Sequence, residues 1–392
     1  LNRRQLLLLG LGAVSGASTL GLGQWLHHRA TRAQQARDRT FPVTGTQPLW
    51  QRAAAKGITF GASATRREIL EDPDLAQRFV EDCRMLVPAN ELKWKTIRPS
   101  ATEYQFEVPD AMLAFAQQHG LIMHGHTLVW HNSLPDWFAE TVNASNAEQI
   151  LVDHVQTVAT HYAGQIRSWD VVNEAILPEH DQPNGLRKTP WLEFLGEDYL
   201  DLAFRVAHGA DPQALLLYND FNLDFAVRQD ERKRRAVLGL LERLTAKGVP
   251  IHALGIQGHL SGAQVPHFDA EVMRRFLRDV ASLGLKIFIT ELDVIDKAFP
   301  ADLSIRDRMV AAAYEDYLSV VLEEPAVVSV ATWGFSDRYT WLNSFHPRED
   351  ELPVRPLPLD ENLQPKLAWN AIARAFDQAP PRDPNRGETQ QE

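Results

Sequence analysis

The stretch Trp169-Asp170-Val171-Val172-Asn173-Glu174-Ala175 decides how the rest of the chain is read. It is a short apolar run that ends in an amide beside a carboxylate, followed by a segment rich in Pro, Asn and Gly. Such a run reads as a buried strand whose polar end meets a loop. Lys286-Ile287-Phe288-Ile289-Thr290-Glu291-Leu292-Asp293 repeats the pattern. A strand-end carboxyl can protonate a leaving group only if something keeps it protonated near neutral pH, and a second carboxylate nearby can do that. Glu174 and Glu291 are therefore candidate partners in acid–base chemistry.

Working outward, short apolar runs alternate with amphipathic stretches from about residue 50. Strands are expected at 57–62, 85–90, 121–130, 168–174, 215–220, 252–260, 286–294 and 327–335. Helical periodicity covers 73–84, 110–119, 147–162, 198–208, 228–247, 270–283 and 305–322, and a last helix follows Pro365. Runs of this kind suit parallel strands covered on both faces. Eight strand–helix units of about 40 residues each predict an α/β fold, a single (β/α)8 TIM barrel. The alternative, a doubly wound open sheet, would carry a Gly-rich turn after its first strand, and none is present. Asn90, Trp130, Glu174, Asn219, His259, Glu291 and Trp333 all fall at C-terminal strand ends, where a barrel gathers its active site.

Composition narrows the class. The chain has 392 residues, 44% of them hydrophobic, and a net charge of −11 with scattered Lys and Arg. A nucleic-acid binder would show clustered basic charge, so that class is disfavoured. Ten Trp are present; their flat faces suit sugar rings, although a large core uses Trp as well. Cys83 is the only cysteine, so no internal disulfide can form. Its helical spacing with Leu75, Phe79 and Leu86 reads as a buried structural thiol. At the start, Asn2-Arg3-Arg4-Gln5 precedes a mildly apolar run to about Leu26. That resembles a twin-arginine export signal, with an uncleaved membrane anchor as the alternative. The expected division is a leader or anchor at 1–26, a linker at 27–48, a catalytic domain at 49–377 and a disordered tail at 378–392. Export would make the protein secreted, periplasmic or attached to the cell envelope.

Six ordered motifs, each at a predicted strand end, carry a resemblance. They are His124-Gly125-His126-Thr127-Leu128-Val129-Trp130-His131, Trp169-Asp170-Val171-Val172-Asn173-Glu174, Tyr218-Asn219-Asp220-Phe221-Asn222, Gly255-Ile256-Gln257-Gly258-His259, Ile289-Thr290-Glu291-Leu292-Asp293, and Thr332-Trp333-Gly334 with Asp337 and Trp341. On these the chain resembles glycoside hydrolase family 10, the endo-β-1,4-xylanases, over about residues 50 to 377. The resemblance implies retaining hydrolysis of xylan or xylo-oligosaccharides by a monomer, with no cofactor and no metal. It implies no nucleic-acid partner, and membrane contact only through the N-terminal segment.

Carried over residue by residue, Glu174 would be the acid/base and Glu291 the nucleophile. Retaining geometry would set the two carboxyl groups roughly 5–5.5 Å apart. The charge on Glu291 would raise the affinity of Glu174 for its proton, and that charge would vanish once the glycosyl-enzyme forms. His259 would hydrogen-bond Glu291, with Asp293 in support. Asn173 would reach the sugar 2-hydroxyl, although strand alternation points Asn173 and Glu174 apart. His259 and Gln257 share strand parity, so both would face the barrel mouth. Trp130, Trp333 and Trp341 would wall the sugar site, and Phe221 would supply a plane on the leaving-group side. Asn90, Lys93 and His126 would contact hydroxyls on the non-reducing side. The His124-x-His126 pair also resembles a metal-binding pair, but its neighbours are amide, Trp and Glu rather than further ligands. Two positions depart from the family: Ala89 replaces a usual Glu and Ser133 a usual Gln. Both departures leave open a related retaining glycosidase on another polymer or glycoside. A non-catalytic carbohydrate-binding barrel is the rival from another class.

Overall fold

The computed structural model describes residues 36–382. The segment read as a leader, 1–26, and the end of the chain beyond 382 lie outside the described residues. Among the described residues, nine parallel strands form a closed array: β1 (Thr59–Ala64), β2 (Met85–Pro88), β3 (Ile122–Val129), β4 (Ser168–Asn173), β5 (Leu215–Asp220), β6 (Ala253–Ile256), β7 (His259–Ser261), β8 (Lys286–Ile295) and β9 (Val327–Thr332). β1 pairs with β9 through Thr59 opposite Ser329, and β6 pairs directly with β8, so eight strands close the barrel. β7 is a three-residue addition on the far end of β8, with His259 opposite Asp293. Among the intervening helices are α1 (Pro73–Asp82), α2 (Glu107–Gln118), α3 (Ala147–His161), α4 (Tyr199–Ala210), α5 (Arg228–Ala246), α6 (Ala270–Ser282), α7 (Leu303–Val321) and α8 (Leu367–Gln378). This is the expected (β/α)8 barrel.

The local causes are ordinary. β4, β8 and β9 are rich in Val and Ile, whose branched side chains fit a pleated surface covered on both faces. Asp72, Asp269 and Asp302 cap α1, α6 and α7 by accepting from backbone N–H groups of the first turn, and Pro73 stands at the first position of α1, where its missing N–H costs nothing. The main core lies between the sheet and the helices. Two smaller clusters, Met85–Val87–Ala331 and Leu217–Ala253–Phe288, fill the barrel interior. Cys83 is buried at the end of α1, and burial holds its thiol protonated far above the ordinary range.

Three expectations need correction. The strand expected over 252–260 is two strands, because Gly258 takes φ +75° and breaks the run after Gln257. The segment 39–48, read as linker, lies against the barrel. Phe41 is buried, Arg39 pairs with Glu315 and Asp316 on α7, and Arg52 binds the Thr44 and Gly45 carbonyls. One aromatic anchor and main-chain carbonyls hold it, so its low apolar content hid the attachment. The start of the segment read as tail is likewise attached: Ala379 is buried, and Arg382 binds the Leu322 and Val327 carbonyls. Among the described residues, no helix is long and apolar enough to cross a membrane.

Candidate active site

β4 ends at Asn173, and Glu174 turns out of it with φ +58°. That turn answers the alternation problem. A continuing strand would point the two side chains apart, whereas the left-handed residue swings both into the barrel mouth. A non-Gly residue at positive φ is strained and persists only where its surroundings over-determine it. Here the Glu174 N–H donates to the Asn219 carbonyl at 2.8 Å, and the Glu174 carbonyl accepts from Arg187 Nε at 2.6 Å.

A chain of amides joins the two carboxyl groups. Gln257 Nε2 donates to Glu174 Oε1 at 3.2 Å and lies 3.3 Å from Asn173 Oδ1. Asn219 Nδ2 donates to Asn173 Oδ1 at 3.1 Å and to Glu291 Oε1 at 2.8 Å. The Asn219 carbonyl oxygen accepts from the Thr290 hydroxyl at 2.7 Å, which fixes which end of the amide faces Glu291. Gly255 on the neighbouring strand makes room, since a Cβ there would fall 2.3 Å from Asn219 Oδ1. Gln257 and His259 reach the mouth by different routes: Gln257 follows the end of β6, and His259 begins β7 beyond Gly258.

Glu291 is 5% exposed and is held on its other side by His259 Nε2 at 3.3 Å. His259 Nδ1 bonds Asp293 Oδ1 at 2.9 Å, and the Trp341 indole donates to Asp293 Oδ2 at 2.8 Å. Burial alone would raise the Glu291 carboxyl. The His259 hydrogen bond and the charges of His126 and His259 outweigh it, so Glu291 stays ionised below its ordinary range. For His259 burial works toward the neutral ring, and Asp293 with Glu291 overrides it, so the ring is held protonated well above the ordinary histidine range.

Glu174 moves the other way. Burial holds its carboxyl above the ordinary range and the negative Asp220 adds to that, while Gln257, Trp130 and Arg187 oppose. The Trp130 indole N–H does so from outside regular hydrogen-bonding geometry. The cause differs from the one expected: burial and Asp220 raise Glu174, rather than the charge on Glu291. Asp220 is itself fully buried, bonded to the Tyr218 hydroxyl and paired with Lys233 Nζ on α5 at 2.6 Å. One carboxyl shifted upward and one shifted downward is the direction of tuning that acid and nucleophile require.

The surrounding walls are aromatic. Lys93 Nζ lies 5.3 Å from the Trp130 ring centre and 5.9 Å from that of Trp333. Lys93 also donates to Asn90 Oδ1 at 3.1 Å, so these two are partners of one another at the rim. Burial lowers the Lys93 ammonium against the pull of Glu291, Glu91 and Glu174. His126 meets Trp333 edge-on and bonds Asp170 Oδ2 at 2.8 Å. Its neighbour His124 approaches the same oxygen at 3.2 Å, and both precede a cis peptide at His126–Thr127. The two imidazoles thus serve one buried carboxylate. Among the described residues, no group of three or more His, Cys, Asp or Glu side chains is arranged to hold a metal ion. Phe221 lies under Lys233 Nζ at 3.5 Å and under Arg187 at 5.5 Å. Trp341 leans on His259 with ring centres 5.1 Å apart.

The sequence reading gave no role to Asn219, Thr290, Asp220, Lys233 or Arg187. Asn219 was visible as a polar strand end, and its parity with the inward-facing Leu217 was the available signal. Lys233 and Arg187 are remote in sequence from the strand ends, and nothing local marks them.

A family model described as Glycosyl hydrolase family 10 matches residues 49–375. Endo-1,4-beta-xylanase B of Paenibacillus barcinonensis is 37% identical over 346 residues, 83% of this chain and 98% of that protein. Endo-1,4-beta-xylanase B of Thermotoga neapolitana is 34% identical over 313 residues, 78% of this chain and 85% of that protein. Among solved structures, xylanase 10B from Thermotoga petrophila RKU-1 in complex with xylobiose superposes with a TM-score of 0.76 at 30% identity. The match covers 86% of this chain and 99% of that one.

Proposed function

Because the chain belongs to glycosyl hydrolase family 10, we propose that it is a retaining endo-1,4-β-xylanase in which Glu174 is the acid/base and Glu291 the nucleophile. The observation that carries the assignment of roles is the amide-linked site itself, in which Gln257 serves Glu174 while Asn219 and His259 grip Glu291, with the Glu174 carboxyl shifted above its ordinary range and that of Glu291 below it.

In the first step Glu291 attacks the anomeric carbon while Glu174 gives its proton to the departing glycosidic oxygen. The new bond to Glu291 forms as the bond to the leaving sugar breaks. In the second step Glu174, now ionised, takes a proton from water as that water displaces Glu291. His259 and Asn219 aim the nucleophile, so little reorganisation accompanies attack. Asn173, held between Asn219 and Gln257, contacts the sugar beside the scissile bond in this reading. Trp130, Trp333 and Trp341 supply apolar planes for sugar faces, and Lys93 with Asn90 supplies donors at the rim. Export by a twin-arginine route remains part of this reading, since a polymeric substrate lies outside the cell.

The test is reducing-sugar release from xylan by wild-type protein, Glu174→Ala and Glu291→Ala, beside mixed-linkage glucan. Release from xylan that both substitutions abolish supports the reading. A wild-type protein inert on xylan but active on glucan would move the assignment to another polymer and make Ala89 and Ser133 the first positions to examine. Binding without release from either polymer would leave a carbohydrate-binding barrel.

A further inference from the structure

The loop that follows Glu174 folds back on itself. Ile176 bridges Leu186, and the Arg187 N–H donates to the Ala175 carbonyl at 2.7 Å. This returns Arg187 to the residue that precedes the loop. Its Nε donates to the Glu174 backbone carbonyl at 2.6 Å, and its Nη2 lies 3.8 Å from Glu174 Oε2. That Nη2 is buried and has no hydrogen-bond partner. The residue is 9% exposed, and its guanidinium lies over Phe221. A buried donor left unmatched costs free energy, of order 1–3 kcal/mol, so its retention beside a functional carboxyl calls for a reason.

We propose that Arg187 is a positioning residue that takes up the negative charge of Glu174 between the two chemical steps. This rests on the assignment of Glu174 as acid/base. While Glu174 carries its proton, Gln257 serves its carboxyl at 3.2 Å, with the Trp130 indole beside it, and the gap to Nη2 stays open. Once that proton has left with the departing sugar, a buried carboxylate faces a buried guanidinium at 3.8 Å, about 0.6 Å beyond the hydrogen-bonding range. Closing the gap forms a charge-assisted bond to a carboxyl already fixed at its backbone. The bond eases proton donation in the first step and holds the carboxylate in place for water in the second. Water then returns a proton to Glu174, and the pair separates.

Other charged groups also face Glu174: Asp220 on β5 with its partner Lys233, Lys93 from the loop after β2, and Glu291 with His259 on the opposite side. His131 beyond β3 is kept neutral near Arg187, its ring held down to about 3 by burial and the adjacent cations. Of the cations, only Arg187 is tied to the backbone of Glu174 itself.

The experiment is a carboxyl-carbon NMR titration of Glu174 in wild-type protein, Arg187→Gln and Arg187→Lys, with kcat/KM against pH on a xylo-oligosaccharide. In Arg187→Gln the Glu174 midpoint and the basic limb of kcat/KM should both rise by about one unit, within the range an opposite charge at this separation gives. Arg187→Lys should show a smaller rise. In the wild-type protein the Arg187 side-chain nitrogen signals should titrate with the same midpoint as Glu174, a readout that needs no variant. Arg187 signals that ignore that midpoint, or a Glu174 midpoint unmoved in Arg187→Gln, would overturn the proposal. A purely structural role would lower the melting temperature and leave the limb where it was. Wild-type protein inert on xylan would defeat the xylanase reading, while the titration would still decide the role of Arg187.

Discussion

Replacing Asn219 by Ala takes one amide out of the centre of the site. Its Nδ2 donates to Glu291 Oε1 at 2.8 Å and to Asn173 Oδ1 at 3.1 Å, and its oxygen accepts from Thr290 at 2.7 Å. A hydrogen bond to an ionised group contributes about 1.5–3 kcal/mol. At about 1.4 kcal/mol per tenfold, losing it in the step where Glu291 attacks lowers kcat/KM by roughly 10- to 150-fold. The same loss has a second signature. A hydrogen bond from Asn219 favours the ionised carboxylate, so its removal raises the Glu291 midpoint. Activity requires ionised Glu291, so the acid limb moves to higher pH, while the basic limb belongs to Glu174 and stays. The Thr290 hydroxyl is left without its acceptor, which lowers stability by about 1–3 kcal/mol. The assay is kcat/KM against pH on xylo-oligosaccharides, with a denaturant melt to separate folding from function. An acid limb that does not move, with activity within twofold of wild type, would refute the view that Asn219 holds the nucleophile.

Gly255→Ala should imitate this variant, because its Cβ would fall 2.3 Å from Asn219 Oδ1 and displace the amide; the same pH profile is the check. Lys366→Met should destabilise the protein by about 3–5 kcal/mol, since Lys366 Nζ lies 2.5 Å from Asp337 Oδ2 and the buried carboxylate would lose its ion-pair partner, keeping the Leu357 N–H at 3.0 Å. A melt within 1 kcal/mol of wild type, to the nearest ~1 kcal/mol, would contradict that. Asp170 is pushed up by burial and pulled down further by His124 and His126, to about 2 in the fold. Its folded midpoint lies below the ordinary carboxylate value near about 3.9. Its contribution is therefore present above that value and is lost as pH falls toward 2. Asp170→Asn should flatten the acid-unfolding curve across that window. Ala89→Glu should raise kcat/KM on xylotriose by about tenfold or more if a charged acceptor is what this rim lacks; unchanged kinetics would remove Ala89 from any account of specificity.

Much of this protein was legible in the sequence. Apolar runs ending in polar residues located the barrel strands, because burial on both faces leaves few other compositions open to a parallel strand. The polar ends Glu174, Glu291, His259 and Trp333 marked the functional rim, because a barrel exposes its strand ends to solvent on that side. The two motifs singled out Glu174 and Glu291, and the fold brings both into one amide-linked site. Backbone breaks did not follow from periodicity. The positive φ of Glu174 and the interruption at Gly258 are set by contacts from neighbouring strands, and period-2 reasoning assumes the strand runs on.

What only the tertiary structure decided is electrostatic. The sequence offered Glu291 as the group that raises Glu174, whereas burial first and Asp220 second push its carboxyl above the ordinary range. It offered His259 and Asp293 as the supports of Glu291, and the fold adds Asn219, Thr290 and Trp341. Arg187 and Lys233 come from a loop and from α5, and they reach the site because the barrel closes. Desolvation depends on every atom around a group, and hydrogen-bond partners come from any strand at the same height. Periodicity along one segment carries the direction of a side chain but not the company it keeps.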